Sequence, residues 1–250
     1  MIVGGIPMLL GGGAAASKYI AVAHTAAPVV TAYPWSSAGF GTKFANPATL
    51  LGAAGRRLAF NPTATALAVT GAGTPFIHVY AWSSSGFGTM FADPATLPTA
   101  AAGGVAFTGK NDAIAVAHET TPFVTAYPWS GAGFGTKFTN PATLPTGNGE
   151  GVAFTGTSDA IAVAHATTPF VTAYSWSGAG FGTKFTNPAT LPTGDAMGVS
   201  FSDTSDAIAV AHNATPYITV YAWSSAGFGT KFADPATLPG GAAQNSDFGL

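Results

Sequence analysis

Histidine titrates near neutral pH and is the commonest metal ligand, and four of the five histidines in this chain fall in register. His24, His118, His165 and His212 are separated by multiples of 47 residues. Such a set could serve as a ring of metal ligands or proton carriers. The ligands of one zinc ion, however, converge to within about 4 Å of each other, and one imidazole per repeat unit stands farther apart than that. The spacing therefore favours a structural role, each ring hydrogen-bonding the backbone of the connection that follows, and the four remain candidate binding residues. Gly71 occupies the fifth position of the series, and His78 lies elsewhere in its unit, where a surface or lateral packing role is expected. Asp112, Asp159 and Asp206 recur in one turn, where an Asx-type bond explains them. Asp93 and Asp234 share a position before proline with Asn46, Asn140 and Asn187, so that position needs a short polar acceptor and not a charge. One carboxylate per unit offers neither a catalytic pair nor the convergent oxygens of a calcium site. The absence of cysteine removes disulfides, zinc thiolates and thiol catalysis together. Residues 104–147 and 151–194 differ at only four positions. An enzyme needs one asymmetric site, so no catalytic residue, metal or cofactor is expected.

The elements that carry these residues follow from a second regularity. All five tryptophans, Trp35, Trp82, Trp129, Trp176 and Trp223, stand 47 residues apart, and a period of this length signals a stacked or radial repeat. One unit, read from Gly151, gives four short strands. Val152–Thr155 is the first, a Gly-Thr-Ser-Asp turn follows, and Ile161–His165 is the second. Phe170–Trp176 is the third, and a fourth, edge strand begins at Thr183-Lys184-Phe185 after a glycine-rich loop. Strict alternation puts Ile161, Val163 and His165 on one face and alanines on the other, so neighbouring sheets can interlock, large against flat. The Tyr and Trp of the third strand are read as core between sheets first and as a sugar-stacking platform second. Lys43, Lys137, Lys184 and Lys231, with Met90 in the second unit, are expected on edge strands, where lysine discourages pairing between molecules. The fold class that follows is all-β, a five-bladed β-propeller of four-stranded antiparallel blades.

The run Val152 to Trp176, with its Val-Ala-Phe-Thr strand, Gly/Asp turn, Ala-Val-Ala strand and Tyr-x-Trp strand, resembles the blades of WD-repeat and related propellers. The Trp-Asp and Gly-His pairs of true WD repeats are missing, so the resemblance implies fold and not partners. Blade count and period are similar to those of tachylectin-type lectins, which implies sugar binding between blades, although the Asn-Trp and Gly-Gly-Trp motifs of those lectins are absent. The repeated Trp-Ser-x-x-Gly-Phe-Gly-Thr-Lys-Phe and Pro-Ala-Thr-Leu-Pro segments resemble repetitive propeller proteins of tailed phages, which implies a virion or extracellular setting.

Subtracting the period from Phe201, Phe154, Phe107 and Phe60 lands on Gly13, inside a triglycine that makes a poor strand, and adding it to Phe201 gives Phe248. Residues 241–250 are therefore expected to supply the inner strand of the first blade through Ser246 to Gly249; the competing arrangement uses Ile6 to Leu10. Residues 14–240 form the propeller. Residues 1–13 then make an apolar arm whose Ile2, Val3, Ile6, Met8, Leu9 and Leu10 dock on a neighbouring subunit or another assembly protein, or fold back on their own ring. A cleaved signal is suggested only faintly by this segment, which lacks a positive n-region. Charged residues reach only 7% and the net charge is −2, which supplies no basic stripe for nucleic acid. No apolar run is long enough to span a membrane. The second unit, with Arg56, Arg57, Gly71, His78 and Met90, is the most divergent, so any single docking site is expected to involve Arg56 and Arg57. The expected function is a non-enzymatic structural or binding module, part of a phage virion, that contacts other virion or assembly proteins or a host surface. The alternative is a lectin for cell-surface glycan with up to five sites.

Overall fold

The computed structural model describes residues 2–3 and 18–248. It contains five four-stranded antiparallel sheets, each in simple sequential order. The first sheet is β1 (Ile2–Val3), β2 (Tyr19–Ala23), β3 (Val30–Ser36) and β4 (Gly39–Phe40). The second is β5 (Gly55–Phe60), β6 (Ala66–Gly71), β7 (Ile77–Ser83) and β8 (Gly86–Met90). The third is β9 (Ala102–Phe107), β10 (Ala113–His118), β11 (Val124–Ser130) and β12 (Gly133–Phe134). The fourth is β13 (Gly149–Phe154), β14 (Ala160–His165), β15 (Val171–Ser177) and β16 (Gly180–Lys184). The fifth is β17 (Ala196–Phe201), β18 (Ala207–His212), β19 (Ile218–Ser224) and β20 (Gly227–Lys231). The four strands expected per unit are present, the fourth starting earlier than expected, inside the glycine-rich loop.

Sheets pack face to face in chain order, and the alternation of side chains decides how. Ala160, Ala162 and Ala164 of β14 lie against Ile208 and Val210 of β18, while Ile161 and Val163, on the other face of β14, lie against Ala113, Ala115 and Ala117 of β10. A flat face meets a large one at each such junction, the arrangement that close packing of a protein interior favours. The inner strands meet at the centre. A Cβ on Gly104 would come within 2.9 Å of the Cα of Gly151, and one on Gly151 within 3.0 Å of the Cα of Gly198.

Closure departs from expectation. The strand hydrogen-bonded to β2 is β1, with Ile2 opposite Ala23 and Val3 opposite Val22, so among the described residues Ser246 to Phe248 is not paired to β2. The backbone edge of β2 is already taken by the N-terminal strand. The segment Ala243–Ser246 instead follows β17: the Ala243 amide donates to the His212 carbonyl at 3.2 Å, and Asn245 stands against Gly198 as Gly198 stands against Gly151. Of the proposed arm, Ile2 and Val3 are in β1, and Ile6, Met8, Leu9 and Leu10 lie outside the described residues, as does Gly249.

The outer strand has two residues in the first and third sheets and five in the other three. The short ones face Pro34 and Pro128; the long ones face Ala81, Ser175 and Ala222. The Trp129 amide bonds the Asp112 carbonyl on the inward side, and amides of successive strand residues point to opposite sides, so position 128 should offer its N–H to the outer strand. Proline has none. In Pro128→Ser the backbone amide gained at that position is expected to exchange with solvent as slowly as that of Ser175, with β12 extended towards Lys137. Rapid exchange of the new amide would show that another constraint shortens the strand.

Candidate functional site

The histidine series does not converge. His118, His165 and His212 are fully buried, each inside its own sheet, and no group of metal-ligating side chains occurs among the described residues. Each ring nitrogen Nε2 lies 2.8–3.0 Å from a threonine hydroxyl of the adjacent strand: Thr125, Thr172 and Thr219 respectively. The partner is thus the third strand and not the backbone of the following connection. That connection is held by tyrosine. The hydroxyls of Tyr80, Tyr127, Tyr174 and Tyr221 donate to the carbonyls of Thr49, Thr96, Thr143 and Thr190 at 2.7–2.8 Å, linking each sheet to the connection before it.

A threonine hydroxyl on an imidazole nitrogen has the spacing of a nucleophile and its base, but here both partners are closed to solvent and no substrate can reach them. Burial lowers the pKa of His118 and of His165 to about 4, and it also lowers that of His212. The Thr167 backbone opposes the shift at His165 without completing a hydrogen bond, since Nδ1 of His165 and of His212 has no partner among the described residues. His24 is half-buried.

The second sheet keeps the imidazole but moves it. Gly71 replaces the histidine and His78 replaces the threonine opposite, so the ring reaches the interior from β7. It is buried, not at the surface, with Nδ1 3.3 Å from the Tyr80 hydroxyl and Nε2 3.9 Å from Asp93. The first turn is exchanged in the same way. Thr108 donates to Asp112 and receives the amides of Asp112 and Ala113, whereas in the second sheet Asn61 sits at the threonine position and bonds Thr65 and the amides of Thr65 and Ala66. These carboxylates hold turns: the Thr155 hydroxyl keeps the Asp159 pKa below the usual range. The lysines are clasped too. Those at 43, 137 and 184 donate to Asn46, Asn140 and Asn187 and to the next carbonyl, and Lys231 pairs with Asp234. Lys43 and Lys137 lie beyond their short outer strands, so guarding a strand edge is not the role of those two.

What remains is a charge cluster at the centre. Four inner strands slip register near their starts: β9 skips Gly103, β13 skips Glu150, β17 skips Met197, and β5 passes Arg56 and Arg57 against the single Thr70. Such bulges turn the skipped side chain off the ladder. Arg56 forms an ion pair with Glu119 of the third sheet, both about one-third exposed. The Arg57 guanidinium donates to the Gln244 carbonyl at 2.9 Å, tying the second sheet to the C-terminal segment, while Thr70 bonds the Arg57 backbone in place of the lost ladder. Burial raises the pKa of Glu150, and Glu119 adds to the shift while Arg56 and Arg57 oppose it. Burial lowers the pKa of Arg57, opposed by Glu150. The chain has two arginines and two glutamates, and all four meet here. Sequence reasoning found the arginines and missed Glu119 and Glu150. The available signal was departure from the repeat, since Glu119 aligns with Thr25, Ala72, Ala166 and Asn213, and Glu150 with Arg56, Gly103 and Met197.

No protein-family model matches the chain, and no curated protein matches it.

The buried imidazoles set a pH dependence. An unfolded histidine titrates near 6.5 and the folded ones near 4, so between these values the unfolded chain binds more protons and stability rises with pH. The contribution is complete above the unfolded pKa and is lost as pH falls towards 4. Melting temperature is therefore expected to drop between pH 6.5 and 4, with a flatter profile in a His118→Gln, His165→Gln double variant. An unchanged slope in that variant would assign the dependence to other groups.

Proposed function

We propose that the protein is a non-enzymatic binding and structural module of a phage particle, contacting other particle proteins through the charged cluster at the centre of its ring. One observation carries this proposal: the polar side chains that recur in register are consumed by the scaffold, whereas Arg56, Arg57, Glu119 and Glu150 are charges outside the repeat that come together at one place. A scaffold whose imidazoles, turn carboxylates and lysines are tied internally offers repeated surface, not a reaction centre. The cluster mixes guanidinium and carboxylate, groups that recognise polar side chains and backbone of another protein. Individual contacts of this kind are weak, and many copies on one particle convert them into avidity. The phage setting rests on the resemblance of the Gly-Phe-Gly-Thr-Lys-Phe and Pro-Ala-Thr-Leu-Pro segments. The WD-repeat resemblance supports the scaffold and says nothing of the partner.

The test is incorporation. In a producing culture, the amount of this protein in purified particles is expected to fall at least several-fold for Arg56→Ala with Arg57→Ala, while the folded fraction of the purified variant is retained. Wild-type incorporation of the double variant would remove the central cluster from the proposal. Selective binding on a glycan array, with no particle association, would replace it with the lectin alternative.

A further inference from the structure

Four of the five junctions between neighbouring sheets are built alike. At the last of these, Trp223 meets Phe185 of the preceding sheet at 5.2 Å and Phe201 and Phe228 of its own at 5.0 and 5.1 Å, all edge to face. The tyrosine latch lies beside it. In these four junctions the tryptophan is 4–7% exposed.

The fifth junction, between the fifth sheet and the first, keeps Trp35, Phe40 and Phe232 but has no inner-strand phenylalanine in register, and its state is different. Trp35 is 37% exposed, Phe40 64% and Phe232 52%. Ile20 and Val22, on the large face of β2, are half-buried, whereas Ile114, Ile161 and Ile208 are wholly buried at the equivalent of Ile20. No hydrogen bond joins Tyr33 to the Thr237 carbonyl among the described residues. The centre of this junction differs as well. Two pieces of chain occupy the inner position of the first sheet: β1 is paired to β2, and Ala243–Ser246 is bound along β17, with the Ser246 hydroxyl 3.2 Å from that of Ser200. Both pieces therefore lie on the inner side of this junction, one on each sheet.

We propose that this open junction is the docking surface for a second copy of the chain, the fifth sheet of one molecule receiving the first sheet of the next. The two exposed faces are the two halves of an interface that the chain makes with itself four times. On the fifth sheet Ala209 and Ala211 are already buried, so the open part of the face is Phe232 with the half-buried Ile218 and Val220, and the first sheet presents Trp35 and Phe40 to it. A contiguous apolar patch of this kind marks an interaction site, and the sparse charge of the surface offers little repulsion between copies. The contact is head-to-tail, so it propagates or closes into a ring of molecules. It uses a surface distinct from the central charge cluster and stands independently of the proposed function.

The chain has no cysteine, which permits a direct test. Phe232→Cys and Phe40→Cys are prepared as separate single variants of distinguishable mass, mixed under mild oxidation and resolved without reductant. Disulfide-linked heterodimers are expected to exceed homodimers several-fold, and light scattering of the wild-type chain should give a mass above the 24.8 kDa of one copy. A wild-type mass of one copy would overturn the proposal. So would a Phe40→Cys, Phe232→Cys double variant that forms its disulfide within single chains.

Discussion

The inner strands approach so closely that their backbones touch, and the rest of the structure is arranged around that contact. Gly104, Gly151 and Gly198 have no room for a methyl group, because the next backbone occupies the place where it would go. Contact at the centre fixes the separation of adjacent sheets there. Moving outward, the gap widens and is filled by alanine against Ile and Val, then by the Trp and Phe rings. A tyrosine hydroxyl finally ties each sheet to the connection before it. The size of the side chains therefore grows with distance from the centre.

The second sheet breaks the rule, and the consequences stay local. Arg57 stands where the third, fourth and fifth units have glycine, Arg56 and Arg57 leave the ladder opposite Thr70, and the Thr70 hydroxyl bonds the Arg57 backbone in place of the missing ladder bonds. The space created is filled by charge drawn from the third and fourth sheets. The same sheet shows two coupled replacements: Gly71 and His78 move the imidazole from the second strand to the third, where it meets the Tyr80 hydroxyl, and Asn61 with Thr65 keeps a hydrogen-bonded pair across the turn with other residue types. Two coupled departures from a repeat are better evidence of contact than any one residue.

Much of this was legible in the sequence because it is local and periodic. The tryptophan interval gives five units, and the Ile-Ala-Val-Ala alternation gives the two faces and the way they interlock. The central cluster was not legible, because Arg56, Glu119 and Glu150 lie far apart in the chain and only curvature of the sheet array brings them together. The termini were misjudged for a similar reason. The period correctly places Asn245 beside Gly198, but it cannot say which segment takes the hydrogen-bonding edge of β2, and that edge goes to β1. The threonine partners of the histidines were missed because the register between second and third strands, which sets Val116 opposite Thr125, depends on a turn whose geometry the sequence does not display.

If backbone contact at the centre governs the architecture, the melting temperature of Gly104→Ala measures it most directly. The added methyl group would stand 2.9 Å from Gly151 Cα and 3.0 Å from the Val152 amide nitrogen. Overpacking of this kind costs ~1–3 kcal/mol, a fall of roughly 3–10 °C for a chain of this size. Gly131→Ala in the same sheet is the control, since nothing lies within 4 Å of its Cβ position and Ser37, Ser84 and Ser225 stand at the equivalent sites. A lowered melting temperature for Gly104→Ala with Gly131→Ala unchanged is the predicted result, and a Gly104→Ala protein that melts with the wild type would contradict the account.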